Sequence, residues 1–439
     1  MTISHDLLRL KLAESLATAP PPLTHRDIHV PAIKKKAIAV VGVRRGGKTS
    51  WLFQCRAERL AQGRPPESQL HLSLEDERLV GMTAQDLGWL LDEHSRQFPA
   101  LTASGGVTLY LDEIQLVAGW EGLVRRLVDN ANVEIFVTGS SAKLLSREVA
   151  TSLRGRAMEV LMHPFSFRET LRHAGIEPSR TYERLQPAER ATLDRQLRSY
   201  LAQGGFPEAQ GATPRDRPTL LNGYVDVVVL RDIIERHAVS NPVALRWIER
   251  QLLANPGGAF SIKKYYDSLK SQGVPVGKDT LHAYLSHLED AFLVRTVSME
   301  TASERQRMVN PRKAFPIDTG LIALFERTGQ THQGRALETA VLLELERRGW
   351  TITYVRSADD TGVDFLAHRA GEQSMLIQVS LETEGDETWT RELRALETAR
   401  KQFKDTRAML LTLDANPPHR ALPEGIVWMP VARWLLEEE

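Results

Sequence analysis

Short apolar runs recur along the first third of the chain, each closed by a polar or glycine-rich turn. Ala37–Val41, Gln69–Leu74, Val107–Leu111 and Val133–Val137 are each too short for a helix and mostly lack strict alternation. That pattern predicts strands buried on both faces, as in a parallel sheet. Residues 4–17 instead intersperse Leu7, Leu8, Leu10, Leu12 and Leu16 with charges, which predicts a short amphipathic helix. Thr18 through Pro22 breaks it and predicts a linker. From residue 162 to 240 the pattern turns helical and rich in Arg and Glu, with breaks at Pro178, Pro187, Gly204-Gly205 and Pro214.

Helices are predicted at Val243–Ala254, at Ile262–Ser271 with Ser261 as cap, and at Lys278–Phe292, where Leu281, Leu285, Leu288 and Phe292 share a face. Pro256-Gly257-Gly258 stops the first, and Gly273 to Gly277 turns between the others. Strands at Leu293–Met299 and Ala314–Ile317 would pair as a hairpin, so the segment reads as a winged helix. Beyond it the order is helix Gly334–Arg348, strands Thr351–Arg356, Gly362–Ala367 and Met375–Glu382, helix Thr390–Phe403 and strand Ala408–Leu413, with Ile426–Pro430 preceding a short tail.

The first apolar run leads into Gly42-Val43-Arg44-Arg45-Gly46-Gly47-Lys48-Thr49-Ser50. Glycine, four residues, then Gly-Lys-Thr between a strand and a helix is the spacing of a phosphate-binding P-loop. Glycines let consecutive N–H groups turn toward phosphate oxygens, and the helix from Lys48 adds its positive end. Lys48 would reach the β- and γ-phosphates, and the Thr49 hydroxyl would ligate Mg²⁺. The chain therefore reads as an NTP-binding protein, with ATP the nucleotide expected.

The third run ends in Asp112-Glu113, about 60 residues downstream. Asp112 would hold the Mg²⁺ shell and Glu113 would polarise the attacking water. The fourth ends in Thr138-Gly139-Ser140, whose hydroxyls are placed to sense the γ-phosphate or to cap the next helix. Arg154 and Arg156 follow, candidates for an arginine finger or plain surface arginines.

The stretches GVRRGGKT, SLEDERL, LDEIQLVAGWEGLVRRL, VTGSSAKLLSREVATSLRGR and HPFSFRE resemble the AAA+-type ATPases of the archaeal and bacterial family that carry an uncharacterised C-terminal domain. YLAQGGFPEA and YVDVVVLRDIIER continue the resemblance, which covers nearly the whole chain from about residue 35. It implies an α/β protein with a P-loop core at 35–165 after an N-terminal helix and linker at 1–34, a helical lid and connector at 166–242, a winged helix at 243–320, and a restriction-endonuclease-like domain at 321–439. It also implies a homo-oligomer, for instance a hexameric ring, with Arg154 or Arg156 acting on a neighbour's ATP.

In the restriction-endonuclease-like fold, a helix acid, two strand acids and a lysine two residues on bind Mg²⁺ and activate water. Glu338 and Asp364 match the first two, but Gln378 stands for the second strand acid and Ser380 for the lysine. Glu382 lies on the correct face and could substitute for the acid, but nothing replaces the lysine. An amide binds a hard cation weakly and serine offers no charge, so the expectation is a degenerate pocket that does not cut DNA.

Lys+Arg and Asp+Glu are both 56, so any nucleic-acid contact must come from a local patch. Lys278, Arg305, Arg307, Arg312 and Lys313 supply one. The single cysteine, Cys55, and the lack of a span of about 20 apolar residues fit a cytoplasmic protein with no membrane attachment. The resulting expectation is an oligomeric ATPase that couples hydrolysis to binding or remodelling of duplex or branched DNA. Two alternatives stand beside it: a regulatory switch in phage defence or toxin-antitoxin control acting through a protein partner, and an ATP-gated nuclease.

Overall fold

A computed structural model describes residues 3–104, 106–130, 132–139, 153, 155–325, 333–356, 362–382, 386–419 and 421–437. The chain divides into two compact units, Met1–Met162 and His163–Glu439.

The first unit is built on five parallel strands, β1 (Ala37–Val41), β2 (Gln69–Ser73), β3 (Val107–Asp112), β4 (Val133–Thr138) and β5 (Ala157–Leu161), in the order β2-β3-β4-β1-β5. Every residue of β1 and β3 is buried, which is why both read as unbroken apolar runs. β5 escapes such a reading because it is an edge strand, half-exposed and carrying Glu159. Its longer helices are α1 (His5–Ala17), α2 (Lys48–Ala61), α3 (Ala84–Gln97) and α4 (Trp120–Asn130). Ser4 caps α1 by accepting the Leu7 N–H at 3.3 Å, and a capping box of Thr83 and Asp86 starts α3. α1 buries Leu8, Leu12 and Ser15, and Lys11 ties it to Asp76 beyond β2 at 2.7 Å.

The second unit carries an eight-stranded sheet of β6 (Ala259–Phe260), β7 (Val294–Met299), β8 (Arg312–Pro316), β9 (Thr351–Arg356), β10 (Gly362–His368), β11 (Ser374–Ser380), β12 (Thr406–Thr412) and β13 (Ile426–Pro430). Its order is β13-β12-β11-β10-β9-β7-β8-β6. β7 joins β9 in parallel through Ser298 against Thr353 and Met299 against Tyr354. The hairpin of β7 and β8 and the strands after residue 350 are therefore one sheet.

Helices α5 (Phe167–His173), α6 (Pro187–Gln203) and α7 (Asp216–Val227) fill the charged stretch, α7 running on into a π-helical turn, Val228–Glu235. α8 (Pro242–Ala254), α9 (Ile262–Ser271) and α10 (Lys278–Asp290) precede the hairpin. Ser261 stands at the head of α9 but its side chain makes no capping bond, contrary to the sequence expectation.

α11 (Gln333–Arg347) and α12 (Asp386–Gln402) cover opposite faces of the sheet. Leu337, Val341 and Leu345 of α11 pack with Phe365, Ile377 and Leu411, whereas Leu393 and Leu396 of α12 pack with Leu366, Leu376 and Leu410. Neighbouring residues on one strand thus serve two cores, the two-residue period of a strand. Asp318 explains the Gly204-Gly205 pair: its buried carboxylate accepts the Gly205 N–H at 2.6 Å. A Cβ on Gly204 would lie 1.8 Å from Asp318 Oδ1.

Candidate active sites

In the first unit the P-loop leaves the end of β1 and its last residues open α2. Gly42 has φ +148°, and a Cβ there would lie 2.1 Å from the Met162 carbonyl oxygen, so only glycine fits. Gly47, with φ +100°, sits at the head of α2 and lets the loop enter the helix with its N–H groups turned inward. Lys48 is buried, its ammonium donating to the carbonyls of Gly42 and Val43 at 3.0 Å each.

The hydroxyl of Thr49 donates to Asp112 Oδ2 at 2.8 Å, across from the end of β3. Asp112 accepts a second hydrogen bond, through Oδ1, from Thr138 at the tip of β4. The same Thr138 oxygen accepts the backbone N–H of Glu113 at 3.0 Å. One buried hydroxyl therefore sets both acids at once. Glu113 needs that support, because its backbone lies in the left-handed region at φ +57°, a strain of roughly 1–3 kcal/mol. Its carboxylate accepts from the Gln115 side chain.

Thr49 and Asp112 offer adjacent hard oxygen donors beside a phosphate loop. That donor set fits Mg²⁺, which takes few protein ligands and completes its shell with water and phosphate. Arg45 and Ser50 lie exposed on the rim and Arg44 half-buried, while Gly46 is buried.

Arg26, from the proline-rich stretch expected to be a plain linker, is buried, and its guanidinium donates to the Gly46 carbonyl at 2.9 Å. Gln54 of α2 pins the Arg26 backbone from both sides, accepting its N–H at 2.7 Å and donating to its carbonyl at 3.2 Å. No periodicity or motif marks Arg26, because its role comes from where the segment folds back. Cys55 is buried, and burial pushes its thiol up to about 12, so it is inert.

Ser140 and Arg154 lie outside the described residues. Arg156 opens β5 at the edge where β1 begins: its carbonyl accepts the Ala37 N–H at 2.8 Å. The P-loop leaves the other end of β1, about 16 Å away along the strand. Arg156 is half-exposed and donates to Asp129 at 2.6 Å.

In the second unit, Asp364 sits where the pairing of β9 with β10 shifts register between Val363 and Leu366. Such an irregularity re-aims a side chain. Asp364 Oδ2 accepts the Val379 N–H at 3.1 Å, and its own N–H donates to Gln378 Oε1 at 3.2 Å. The Gln378 amide nitrogen donates to Glu392 of α12. Gln378 therefore bridges two acids. Glu338 of α11 faces Gly257, where an added Cβ would lie 2.6 Å from Glu338 Oε2.

A lysine does contact Asp364, but it comes from another strand. Lys313 of β8 donates to Asp364 Oδ1 at 3.2 Å, with its side chain 16% exposed. The Tyr354 ring lies 5.5 Å from its nitrogen. Burial and the neighbouring Asp364 push the Glu338 carboxyl above the usual carboxylate range. Burial opposes the Lys313 charge, but Asp364 and Glu338 outweigh it and hold its pKa above the ordinary lysine value. Ser380 donates to the backbone carbonyl of Glu382, and Glu382 is exposed beyond the end of β11. The acid beside Gln378 is thus Glu392, which sequence spacing along the strand could not indicate.

The sequence places Lys313 in a DNA-facing patch together with Arg312. Successive strand residues point to opposite faces, so the two cannot share one. Arg305 is exposed on a short helix, Glu304–Val309, where Arg307 pairs with Glu304 at 3.0 Å. Arg312 is half-exposed, and Lys278 lies over the Tyr266 ring at 5.1 Å.

Family models match three stretches of the chain: an AAA domain at residues 34–171, a domain of unknown function (DUF8612) at 194–331, and a restriction endonuclease at 330–416. An uncharacterized protein of Methanocaldococcus jannaschii, MJ1544, is 33% identical over 385 residues, covering 87% of this chain and 82% of the relative. The chain belongs to this family of AAA ATPases with a restriction-endonuclease-like domain.

An uncharacterized protein of Haemophilus influenzae is 32% identical over 345 residues, 78% of this ATPase and 82% of that protein. Among solved structures, a Walker-type ATPase of Pyrococcus abyssi is similar at 17% identity and TM-score 0.39, over 74% of this chain and 95% of that one. Among the described residues, no helix of this ATPase is long and apolar enough to cross a membrane.

Proposed function

We propose that this ATPase couples ATP hydrolysis to binding or remodelling of DNA, duplex or branched, as a homo-oligomer in the cytoplasm. The observation that carries the reading is the network of Thr49, Asp112, Thr138 and Glu113 beside the P-loop, in a chain that also holds a nuclease-like sheet. The first supplies the parts of ATP hydrolysis, and the second belongs to a fold whose chemistry addresses phosphodiesters. Lys48 and the P-loop N–H groups would hold the triphosphate, Thr49 and Asp112 would hold Mg²⁺, and Glu113 would position water.

The helices α8 to α10 with their hairpin fit a winged helix, and Lys278, Arg305, Arg307 and Arg312 are its cations for phosphate binding. Turnover measured with and without duplex, single-stranded and four-way-junction DNA tests the coupling. Stimulation by at least one of these is expected, and a rate indifferent to all three would favour a switch acting through a protein partner. Replacing Arg305, Arg307 and Arg312 together by Ala should weaken DNA binding and lower its salt dependence by about one logarithmic unit for each phosphate no longer neutralised. An unchanged slope in a titration across salt concentrations would remove this edge from the interface.

A second reading, an ATP-gated nuclease, is favoured by Lys313, which stands among the acids of the second unit.

A further inference from the structure

We propose that the nuclease-like pocket is a complete phosphodiester-hydrolysing site whose lysine is Lys313, delivered by β8 instead of by the acid-bearing strand. The inference rests on the second reading above and names the group that makes it chemically sufficient. Residue 380, where the strand would carry its lysine, is a serine turned toward its own loop. Lys313 lies outside the stretch matched as a restriction endonuclease, in the stretch matched as a domain of unknown function. It reaches the pocket because β7 and β9 pair, so that the hairpin and the nuclease-like strands form one sheet.

The plainer reading is an internal ion pair that merely neutralises Asp364. Three observations go beyond it. Acids outnumber the buried lysine: besides Asp364, 3.2 Å from its ammonium, Glu392 is held by Gln378 and Glu338 lies alongside. Glu338 is turned toward a glycine at φ +72°, and among the described residues no hydrogen bond reaches it, so its oxygens are left for a cation. Gln378, finally, is spent on orientation: it fixes the Asp364 backbone and holds Glu392, as a supporting residue does around working ligands.

No three acidic, His or Cys side chains gather as a metal-ligand set among the described residues. Mg²⁺ does not need them, since one or two carboxylates with water and substrate phosphate complete its shell. Asp364 and Glu338 are the residues that would hold Mg²⁺, which when bound supplies Lewis acidity at the phosphate. In the reaction a water oxygen bonds to phosphorus and one P–O ester bond breaks. The water's proton ends on the departing alkoxide. Lys313 lies where its ammonium can meet the charge that builds on the phosphoryl oxygens and hold the attacking water, the part a buried, fixed cation performs best.

The test uses the full-length protein with supercoiled plasmid and Mg²⁺ or Mn²⁺, with ATP and without. Wild type is expected to nick. Asp364→Ala should abolish nicking and remove one Mn²⁺ equivalent from the calorimetric titration, leaving the Thr49–Asp112 site of the first unit. Lys313→Met should keep Mn²⁺ binding yet lose about a hundredfold in cleavage rate. Adding Ser380→Lys to Lys313→Met should restore much of that loss, because it returns a lysine to the acid-bearing strand. Lys313→Gln is the alternative if Lys313→Met does not fold, as judged by its thermal midpoint.

Absence of cleavage, and of any Mn²⁺ binding that depends on Asp364, would reduce Lys313 to an internal ion pair. Wild-type cleavage by a folded Lys313 variant would show that another group does its work, and cleavage surviving Asp364→Ala would place the chemistry elsewhere. ATP turnover, measured in parallel with Lys48→Ala, reports on the first unit alone, so failure of the ATPase reading is distinguishable from failure of this one.

Discussion

Glu113→Gln is expected to bind ATP with near wild-type affinity and to hold it unhydrolysed, with turnover lowered by about a hundredfold or more. The substitution keeps the shape of the side chain. The backbone of residue 113 stays pinned, because its N–H donates to Thr138 and does not depend on the carboxylate. What is lost is the charge that polarises water, leaving binding and chemistry separated. Lys48→Ala should behave differently and lose turnover together with nucleotide affinity, since Lys48 is the buried cation of the loop. Stopped-flow nucleotide binding beside steady-state phosphate release separates the two. Wild-type hydrolysis by Glu113→Gln would mean that another group activates the water.

Arg156→Ala is expected to leave nucleotide affinity nearly intact and to cut turnover about a thousandfold. The geometry dictates the form of the test. Arg156 lies at the edge of the sheet opposite the P-loop, so it cannot reach its own chain's triphosphate. If it acts at all, it acts on a neighbouring copy, and its half-exposed pair with Asp129 is weak enough to exchange for a phosphate. Mixtures of Arg156→Ala with Lys48→Ala should therefore regain part of the activity, since one subunit keeps an intact P-loop and the other an intact arginine. No recovery at any ratio, or full activity of Arg156→Ala alone, would remove the arginine from the mechanism.

The amino-acid sequence by itself determined the P-loop, the acid pair Asp112-Glu113, four strands of the first unit and most of the strand–helix order of the second. Those features are local. A buried parallel strand must be apolar throughout, a phosphate loop must have glycine at Gly42, and the acids must follow directly on their strand. Edge strand β5 was missed because half-exposure removes that apolar signal. The tertiary structure alone decided which distant residues meet. Arg26 reaches the P-loop from a stretch that carries no pattern, and Glu392 meets Gln378 from the following helix.

Lys313 shows the difference most sharply. It follows Arg312 and lies near Arg305 and Arg307 in sequence, so it reads as part of a surface patch, while the strand that ought to carry a lysine has Ser380. Strand alternation turns Lys313 away from Arg312, and the pairing of β7 with β9 brings it to Asp364. A charge requirement can be met by any residue that the fold delivers to the right point in space, and spacing along one strand records only the residues of that strand.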